Sequence, residues 1–162
     1  MKKRIPHRRR REKKTNYNRR LKLLKSGEYR LVVRKSNNLI RGQIIKYEKS
    51  GDKTILSSKS SDLSNLGWKG HSGNVSAAYL TGLLLGRKAS NKKIKKAIFD
   101  IGLQESTKGN RIFAFLKGFL DSGINVPHST DMFPDEERIK GKHMGEDVVK
   151  NFEEVKEKLL KK

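Results

Sequence analysis

Carboxylates in and after one apolar segment are the side chains that could perform metal-dependent chemistry. Asp100 stands in the apolar segment 97–102, and Glu105 and Asp121 follow it. Three converging carboxylates could hold Mg²⁺ for phosphoryl chemistry, as in a nuclease. The pattern places Glu105 in a loop and Asp121 at a helix end, so it does not bring either of them to Asp100. A surface or hydrogen-bonded Asp100 is the better interpretation, and we predict no catalytic residue.

Residues that bind transition metals are few. The chain has no cysteine, which excludes a disulfide framework, a zinc ribbon and a thiol nucleophile. The four histidines, His7, His71, His128 and His143, are scattered, and none stands four residues from another on a predicted helix. We predict no metal site and no cofactor.

A glycine-rich loop offers a different chemistry. Residues 67–74 are Gly-Trp-Lys-Gly-His-Ser-Gly-Asn and precede an apolar helical pattern. Backbone N–H groups at a helix N-terminus can receive a phosphate, but the spacing is not that of a nucleotide-binding P-loop. Two interpretations stay open: contact with an RNA backbone through Trp68, Lys69 and Asn74, or a strand-to-helix connection in which Trp68 packs.

Positive charge dominates the chain. Lysine and arginine number 39 against 17 acidic residues, which gives a formal charge of +22. Residues 1–25 hold thirteen of these cations and a single acid, Glu12. Each cation that neutralises a phosphate releases a counterion, so nucleic acid is the predicted partner. A nuclear-localisation tail or a solvated arm is the alternative for this segment.

The basic segment 1–25 contains few apolar side chains. We expect it to be disordered without phosphates, apart from a nascent helix over 15–24 in which Leu21 and Leu24 dock. It lacks the broad apolar face of a membrane-surface helix, and no run of the chain approaches about 18 apolar residues. We expect a soluble, unsecreted protein that binds no membrane.

Three strand patterns follow the basic segment. Residues 29–34, 39–47 and 54–57 are predicted strands, rich in β-branched and apolar side chains. The connections Ser36-Asn37-Asn38 and Ser50-Gly51-Asp52 are short and polar. The three strands therefore form an antiparallel meander.

Helical patterns then alternate with extended ones. Asn74 is the predicted N-cap of a helix over 75–87, and 97–102 is a buried strand that lies parallel to an earlier one. A second helix is predicted over 111–121, and a short edge strand over 124–126. The fold class is α/β with a mixed sheet: a three-stranded antiparallel meander followed by helix, strand and helix.

The C-terminal part has its own pattern. Residues 133–138 predict one helical turn, and Val148, Phe152, Val155 and Leu159 recur at helical spacing. We expect this amphipathic helix to dock on its own domain. The predicted divisions are a basic RNA-binding tail at 1–25, an α/β domain at 26–128, and a C-terminal extension with an amphipathic helix at 129–162.

Several segments carry a family resemblance in order and spacing. They are Arg8-Arg9-Arg10-Arg11-Glu12, Lys14-Thr15-Asn16-Tyr17, and residues 30–37, 77–86, 100–103, 113–118, 126–128 and 133–134. Together they resemble the universal L-eighteen family of 5S-rRNA-binding large-subunit ribosomal proteins, in its archaeal and eukaryotic-like form. The resemblance spans most of the chain, although Asn16 stands where the family is expected to carry an acidic residue.

The resemblance implies an α/β domain seated on 5S rRNA in the central protuberance of the cytoplasmic large ribosomal subunit. It implies a tail that threads between 5S rRNA and the large-subunit rRNA, neighbours such as the L-five protein, no DNA partner and no catalysis. With the loop interpretation above, the predicted RNA contacts are Arg8, Arg9, Arg10, Arg11, Lys13, Lys14, Tyr17, Arg19, Arg20, Arg34, Lys35, Ser36, Asn37, Asn38, Trp68, Lys69, Asn74, Arg111 and His128. A non-ribosomal RNA chaperone or a double-stranded-RNA-binding protein remains the alternative function.

Overall fold

A computed structural model gives the structure of residues 5–161. Residues 1–4 and Lys162 lie outside the described residues, and with them Lys2, Lys3 and Arg4 of the predicted tail. No helix among residues 5–161 is long and apolar enough to cross a bilayer.

A four-stranded mixed sheet forms the centre of the fold. Its strands are β1 (Tyr29–Lys35), β2 (Ile40–Glu48), β3 (Gly51–Lys59) and β4 (Ala97–Asp100), in the spatial order β3-β2-β1-β4. The first three form the predicted antiparallel meander, and β4 lies parallel to β1 as predicted. Strand β3 is longer than its apolar stretch indicated, because the hairpin register continues to the pair Glu48–Gly51 at the turn.

The helices are α1 (Arg8–Arg11), α2 (Tyr17–Leu24), α3 (Val75–Asn91), α4 (Arg111–Leu120), α5 (Glu136–Lys140) and α6 (Glu146–Lys161). Short 3₁₀ turns cover Ser60–Leu66, Thr130–Met132 and Lys142–Met144. The two central helices begin at asparagine caps: the side chain of Asn74 accepts a hydrogen bond from the N–H of Ala77 at 2.7 Å, and that of Asn110 accepts one from Ile112 at 3.5 Å.

Helices α3 and α4 cover one face of the sheet, which we call the inner face. They approach each other at glycines: a Cβ on Gly82 would lie 2.0 Å from the carbonyl oxygen of Phe115, and one on Gly118 would lie 2.1 Å from that of Tyr79. Both helices contact the sheet closely as well, since a Cβ on Gly42 of β2 would lie 2.1 Å from the ring of Phe115 on α4 and 2.9 Å from a methyl group of Leu85 on α3. The core therefore lies between the inner face and this helix pair.

The predicted edge strand over 124–126 is wrong as a strand. Only one isolated parallel bridge forms, between Lys96 and Asn125. Ile124 and Val126 are buried in the core, so the apolar pattern reported burial rather than strand pairing. Pro127, which has no N–H to donate, follows at once.

The C-terminal helix α6 docks on the domain. Phe152, Val155 and Leu159 are buried, and Val148 is half-buried, so the predicted stripe faces the core. The ring of Phe152 lies 5.6 Å from that of Tyr79 on α3. The single turn predicted over 133–138 instead begins at Glu136, because Pro134 and Asp135 remain extended ahead of α5.

The N-terminal tail differs from the expected disorder. Helix α2 confirms the nascent helix, and Asn16 caps it by accepting a hydrogen bond from the N–H of Arg19 at 3.0 Å. Leu24 is half-buried, but Leu21 is 58% exposed and does not dock. Arg19 and Arg20 bind groups of the domain, which gives the tail folded partners even without phosphates.

Candidate nucleic-acid interface

Helix α2 lies over the face of the sheet opposite α3 and α4, which we call the outer face. Alternation along the strands and the pairing register place Arg30, Val32 and Arg34 of β1 on this face, opposite Ile45, Gln43 and Arg41 of β2. Arg19 donates to the carbonyl oxygen of Gly102 at 3.1 Å, just beyond β4. The tail is thereby fixed against the sheet.

A chain of alternating charges crosses the outer face. Asp52 at the start of β3 accepts from Arg20 at 2.9 Å and from Arg30 at 2.6 Å. Asp100 at the end of β4 binds Arg30 at 3.2 Å and Arg34 at 3.3 Å. Three arginines and two aspartates therefore join the tail, β1, β3 and β4 in one network, to which α2 contributes Arg20.

Asp100 is hydrogen-bonded within the protein, as the sequence analysis predicted in preference to a magnesium ligand. Besides its two arginines it accepts from the N–H of Gly102 at 2.8 Å. Asp121 lies in the helix layer instead, where it accepts from the hydroxyl of Tyr79 at 2.6 Å. The hypothesis of a magnesium-binding carboxylate cluster is therefore wrong, and residues 5–161 contain no group of three or more acids, histidines or cysteines placed to hold a metal.

The Tyr79–Asp121 pair changes the acid–base behaviour of the tyrosine. Burial raises the pKa of Tyr79 well above its ordinary value, and the hydrogen bond and negative charge of Asp121 raise it further. The phenol stays a neutral donor under all ordinary conditions. Its role is structural, because it joins α3 to the end of α4.

A cleft of about 420 Å³ lies between the tail and the outer face. Its lining includes two carboxylates, Asp52 and Asp100, and an apolar floor that contains Val32 and Ile45. The cations that line it are Arg9, Lys14, Arg19, Arg20, Arg30 and Arg34. The cations outnumber the acids by four, so the cleft favours an anion.

A second group of predicted residues converges at one end of the sheet. The guanidinium of Arg111, in the first turn of α4, donates to the carbonyl oxygens of Asn37 and Gly73. The ammonium of Lys35 donates to the side-chain oxygen of Asn110 at 3.1 Å. The turn 36–38, the loop before α3 and the start of α4 thus meet although they are far apart in sequence.

This convergence aligns two helix N-termini at one end. Neither α3 nor α4 carries an acid in its first turn, so the partial positive charges of both remain uncompensated by side chains there. Ser36, Asn37 and Asn38 are exposed beside them. The end of the domain offers N–H donors, amides and cations to a phosphate backbone.

Of the two interpretations of the loop 67–74, RNA contact through Trp68 or packing of Trp68, the structure supports packing. It is 6% exposed and belongs to the hydrophobic core, so its indole is not available for stacking on a base. Lys69 beside it is exposed. Asn74 caps α3 with its oxygen, and His128 packs its ring 5.1 Å from that of Phe133 with Nδ1 2.7 Å from the carbonyl oxygen of Val126.

The tail cations are presented to the outside. Arg8, Arg9, Arg10, Arg11, Lys13 and Lys14 are exposed. Tyr17 is half-buried and its ring lies 5.3 Å from that of His7, while Glu12 is the one acid among them, 3.0 Å from Lys14. Most of the positive charge in residues 5–25 of the tail therefore has no protein counterion.

Charge is divided unevenly along the chain. Residues 129–162 contain nine acids and eight lysines or arginines, whereas residues 1–128 contain eight acids and thirty-one. The attraction for a polyanion therefore comes from the tail and the α/β domain. The C-terminal extension is close to neutral.

The sequence pattern missed two members of the charge network, Arg30 and Asp52. Arg30 stands within an apolar strand and is 4% exposed, which is unusual for an arginine without a partner. The strand period did carry a signal, because Arg30 and Arg34 share one face of β1 with Val32 between them. The positions of their acidic partners depend on the register and could not be deduced.

Comparison with known proteins gives concordant matches. The model of a family described as "Ribosomal large subunit proteins 60S L5, and 50S L18" matches residues 2–95 and 88–129. The chain is 50% identical over 151 residues to the large ribosomal subunit protein uL18 of Methanococcus maripaludis, an alignment that covers 93% of this chain and 76% of that protein. It is 49% identical over 142 residues to uL18 of Natronomonas pharaonis, covering 88% and 77%.

Proposed function

This chain belongs to the family of large ribosomal subunit proteins that comprises 60S L5 and 50S L18, and we propose that it binds 5S rRNA. In the proposal it also helps to attach 5S rRNA to the large rRNA, in the central protuberance of the large subunit. Membership alone gives the coarser role: a structural constituent of the large subunit, associated with rRNA and ribosomal proteins, and not an enzyme.

The observation that supports the finer proposal is a continuous basic surface. It starts at the exposed cations of α1, passes the cleft beneath α2, and reaches the end of the sheet where Lys35, Asn37 and Arg111 meet. Such a surface neutralises phosphates at many points without reading bases. That is the mode by which proteins recognise folded RNA through its shape.

Most of the predicted contacts divide into two roles, whereas Arg19, Arg20 and Asn74 bind groups of the protein itself. Residues Arg8 to Arg11, Lys13 and Lys14 supply neutralising charge along the tail, where the half-buried ring of Tyr17 stacks on a base or hydrogen-bonds to the RNA. The domain end, with Arg34 to Asn38, Lys69 and Arg111, seats on the 5S backbone and fixes the direction in which the tail enters the large rRNA. The exposed His128 belongs to the domain contacts. The ring of Trp68 does not, because Trp68 is buried.

The near-neutral C-terminal extension fits a protein neighbour better than RNA. Its nine acids would repel phosphates, whereas an adjacent large-subunit protein such as the L-five protein tolerates mixed charge. In the proposal the basic part therefore faces RNA and the extension faces outward or toward protein.

The test is the salt dependence of binding to 5S rRNA. If about eight phosphates are neutralised, the plot of log affinity against log salt should fall with a slope of magnitude about six or steeper. Deleting residues 1–20 should flatten it markedly, while neutralising one exposed charge of each sign on α6, Lys150→Gln with Glu153→Gln, should not. A slope near zero for the full chain overturns the proposal.

A second experiment separates this role from that of an RNA chaperone. A structural constituent sediments stoichiometrically with the large subunit at high magnesium and stays there through a salt wash. A chaperone is sub-stoichiometric and is washed away. The second result would reject the central-protuberance assignment even if 5S rRNA binding were observed.

A further inference from the structure

Three basic residues stand side by side across the outer face of the sheet. The register pairs Arg34 of β1 with Arg41 of β2, and Arg41 with Lys59 of β3. All three are exposed, and residues in register on neighbouring strands point to the same face. The sequence pattern had singled out only Arg34, and Arg41 and Lys59 belong to neither the tail nor the loop before α3. We call these three residues the basic row.

The basic row carries charge that the protein does not balance. Arg34 shares Asp100 with Arg30, but neither Arg41 nor Lys59 forms an ion pair with any acid in the part of the chain that the structure describes. The carboxylate of Asp62 accepts a hydrogen bond from the backbone N–H of Lys59, at 2.9 Å, and not from its ammonium. Like charges directly opposite on neighbouring strands destabilise a sheet. The unbalanced row indicates an anionic partner outside the chain.

We propose that the basic row binds the phosphate backbone of an RNA helix, as a second RNA surface beyond the tail and the end of the domain. This inference rests on the proposed function and adds a contact to it. The row spans two interstrand spacings, about 10 Å. Three successive phosphates of one nucleic-acid strand advance by about 7 Å along the helix axis, so the long side chains of the row can reach neighbouring phosphates of one strand.

The neighbouring residues favour backbone contact over base recognition. The next row on the outer face is Val32, Gln43 and Ser57, which offers an amide and a hydroxyl but no aromatic ring for stacking. Amides and hydroxyls suit phosphates and ribose hydroxyls. A splayed, single-stranded segment would need stacking partners at this place.

Position also favours RNA over an acidic protein. Arg34 belongs both to the basic row and to the cleft beneath α2, so the row continues the positive surface of the tail across β2 to the free edge of β3. A single RNA helix held at the tail could therefore rest on the row. The C-terminal extension, which suits a protein neighbour, docks on α3 instead, through its helix α6.

The test compares two double variants of the full chain on 5S rRNA. The first is Arg41→Gln with Lys59→Gln, which removes two charges of the row. The matched control is Lys46→Gln with Lys53→Gln, an exposed pair in register on the same two strands whose side chains alternate to the other face. We expect the first to reduce the magnitude of the log–log salt slope by about 1.4 to 1.8, and the control to leave it unchanged.

The melting temperature of each variant without RNA shows that the fold is intact. Removing like charges from the row should keep it or raise it, whereas residues with a structural role would lower it. An unchanged slope in the row variant, or an equal loss in both variants, overturns this inference while the proposed function stands. Absence of any salt-dependent binding by the wild type overturns both. Binding of an acidic polypeptide that the row variant loses while its RNA slope is kept would assign the surface to a protein instead.

Discussion

The guanidinium of Arg30 lies 3.2 Å from the carboxylate of Asp100, and both side chains are buried beneath the tail. The other end of the same guanidinium binds Asp52 at 2.6 Å. Arg30 on β1 therefore holds carboxylates that come from β3 and β4, the two edge strands of the sheet. Since β4 has only four residues, this pairing secures a strand with few backbone bonds of its own.

The first prediction concerns this pair. Asp100→Asn keeps the shape of the side chain but leaves Arg30 with one counterion and Arg34 with none, so we expect a loss of about 3 kcal/mol in the free energy of unfolding. Asp52→Asn is the control: its side chain is more exposed, and we expect a loss of about 1 kcal/mol. Urea unfolding followed by circular dichroism measures both. Equal losses would contradict the special role of the buried pair.

The second prediction concerns the contact between α3 and α4. In an exposed helix Gly→Ala stabilises by about 1 kcal/mol, but at Gly82 the new methyl group would lie 2.0 Å from the carbonyl oxygen of Phe115. Gly82→Ala must separate two packed helices, so we expect it to destabilise the protein by about 3 kcal/mol. Asn91→Ala, at the exposed end of α3, should stay within about 0.5 kcal/mol of the wild type in the same assay. A stabilised Gly82→Ala would show that the helices are more loosely packed.

The sheet and its helices could be predicted from local patterns. The β-branched and apolar runs of β1 and β2, the Asn74 cap and the stripe of α6 can each be identified from the local sequence, because strand composition, helical period and capping chemistry are local properties. The apolar residues Ile124 and Val126 misled the prediction, because a short apolar run reports burial and does not distinguish strand from buried loop.

The candidate interface was only partly predictable. The tail cations are visible in the composition, but the junction of Asn37, Gly73 and Arg111 joins segments more than thirty residues apart. The basic row depends on the register of three strands, and register is fixed by the turns and the core rather than by the exposed residues themselves. Trp68 shows the converse: its loop composition suited RNA, and only the tertiary packing showed that the ring is buried.

The third prediction is a pH dependence centred on Tyr79. Its pKa in the folded state is raised above the unfolded value near 10, chiefly by burial and then by the bond to Asp121. The neutral phenol therefore contributes stability that is complete below pH 10 and is lost as the pH rises above it. We expect Tyr79→Phe to cost about 1 to 2 kcal/mol at pH 8.

That difference should shrink at high pH. Above pH 10 the gap between wild type and Tyr79→Phe should fall by up to about 1.4 kcal/mol per pH unit, because the unfolded wild type alone gains stability from ionisation. Phenylalanine keeps the ring contact with Phe152, so packing is matched. Urea unfolding of both proteins at pH 8 and pH 11 measures the change. A constant gap would show that Tyr79 ionises normally.

The last prediction concerns Arg111, which positions the end of the domain that we propose to seat on 5S rRNA. Its guanidinium donates to two backbone carbonyls, those of Asn37 and Gly73, and so holds the 36–38 turn against the loop before α3. Arg111→Met keeps the aliphatic stem but frees both segments. Without RNA, amide hydrogen exchange should then accelerate in these two segments and remain unchanged in β2. RNA affinity should fall about tenfold, which corresponds to roughly 1.4 kcal/mol.

Lys108→Met is the control, since it removes an exposed charge just before the same helix. It should leave amide exchange unchanged both in the 36–38 turn and in the loop before α3. If Arg111→Met weakened RNA binding with no change in exchange, Arg111 would act by direct phosphate contact alone and not by positioning.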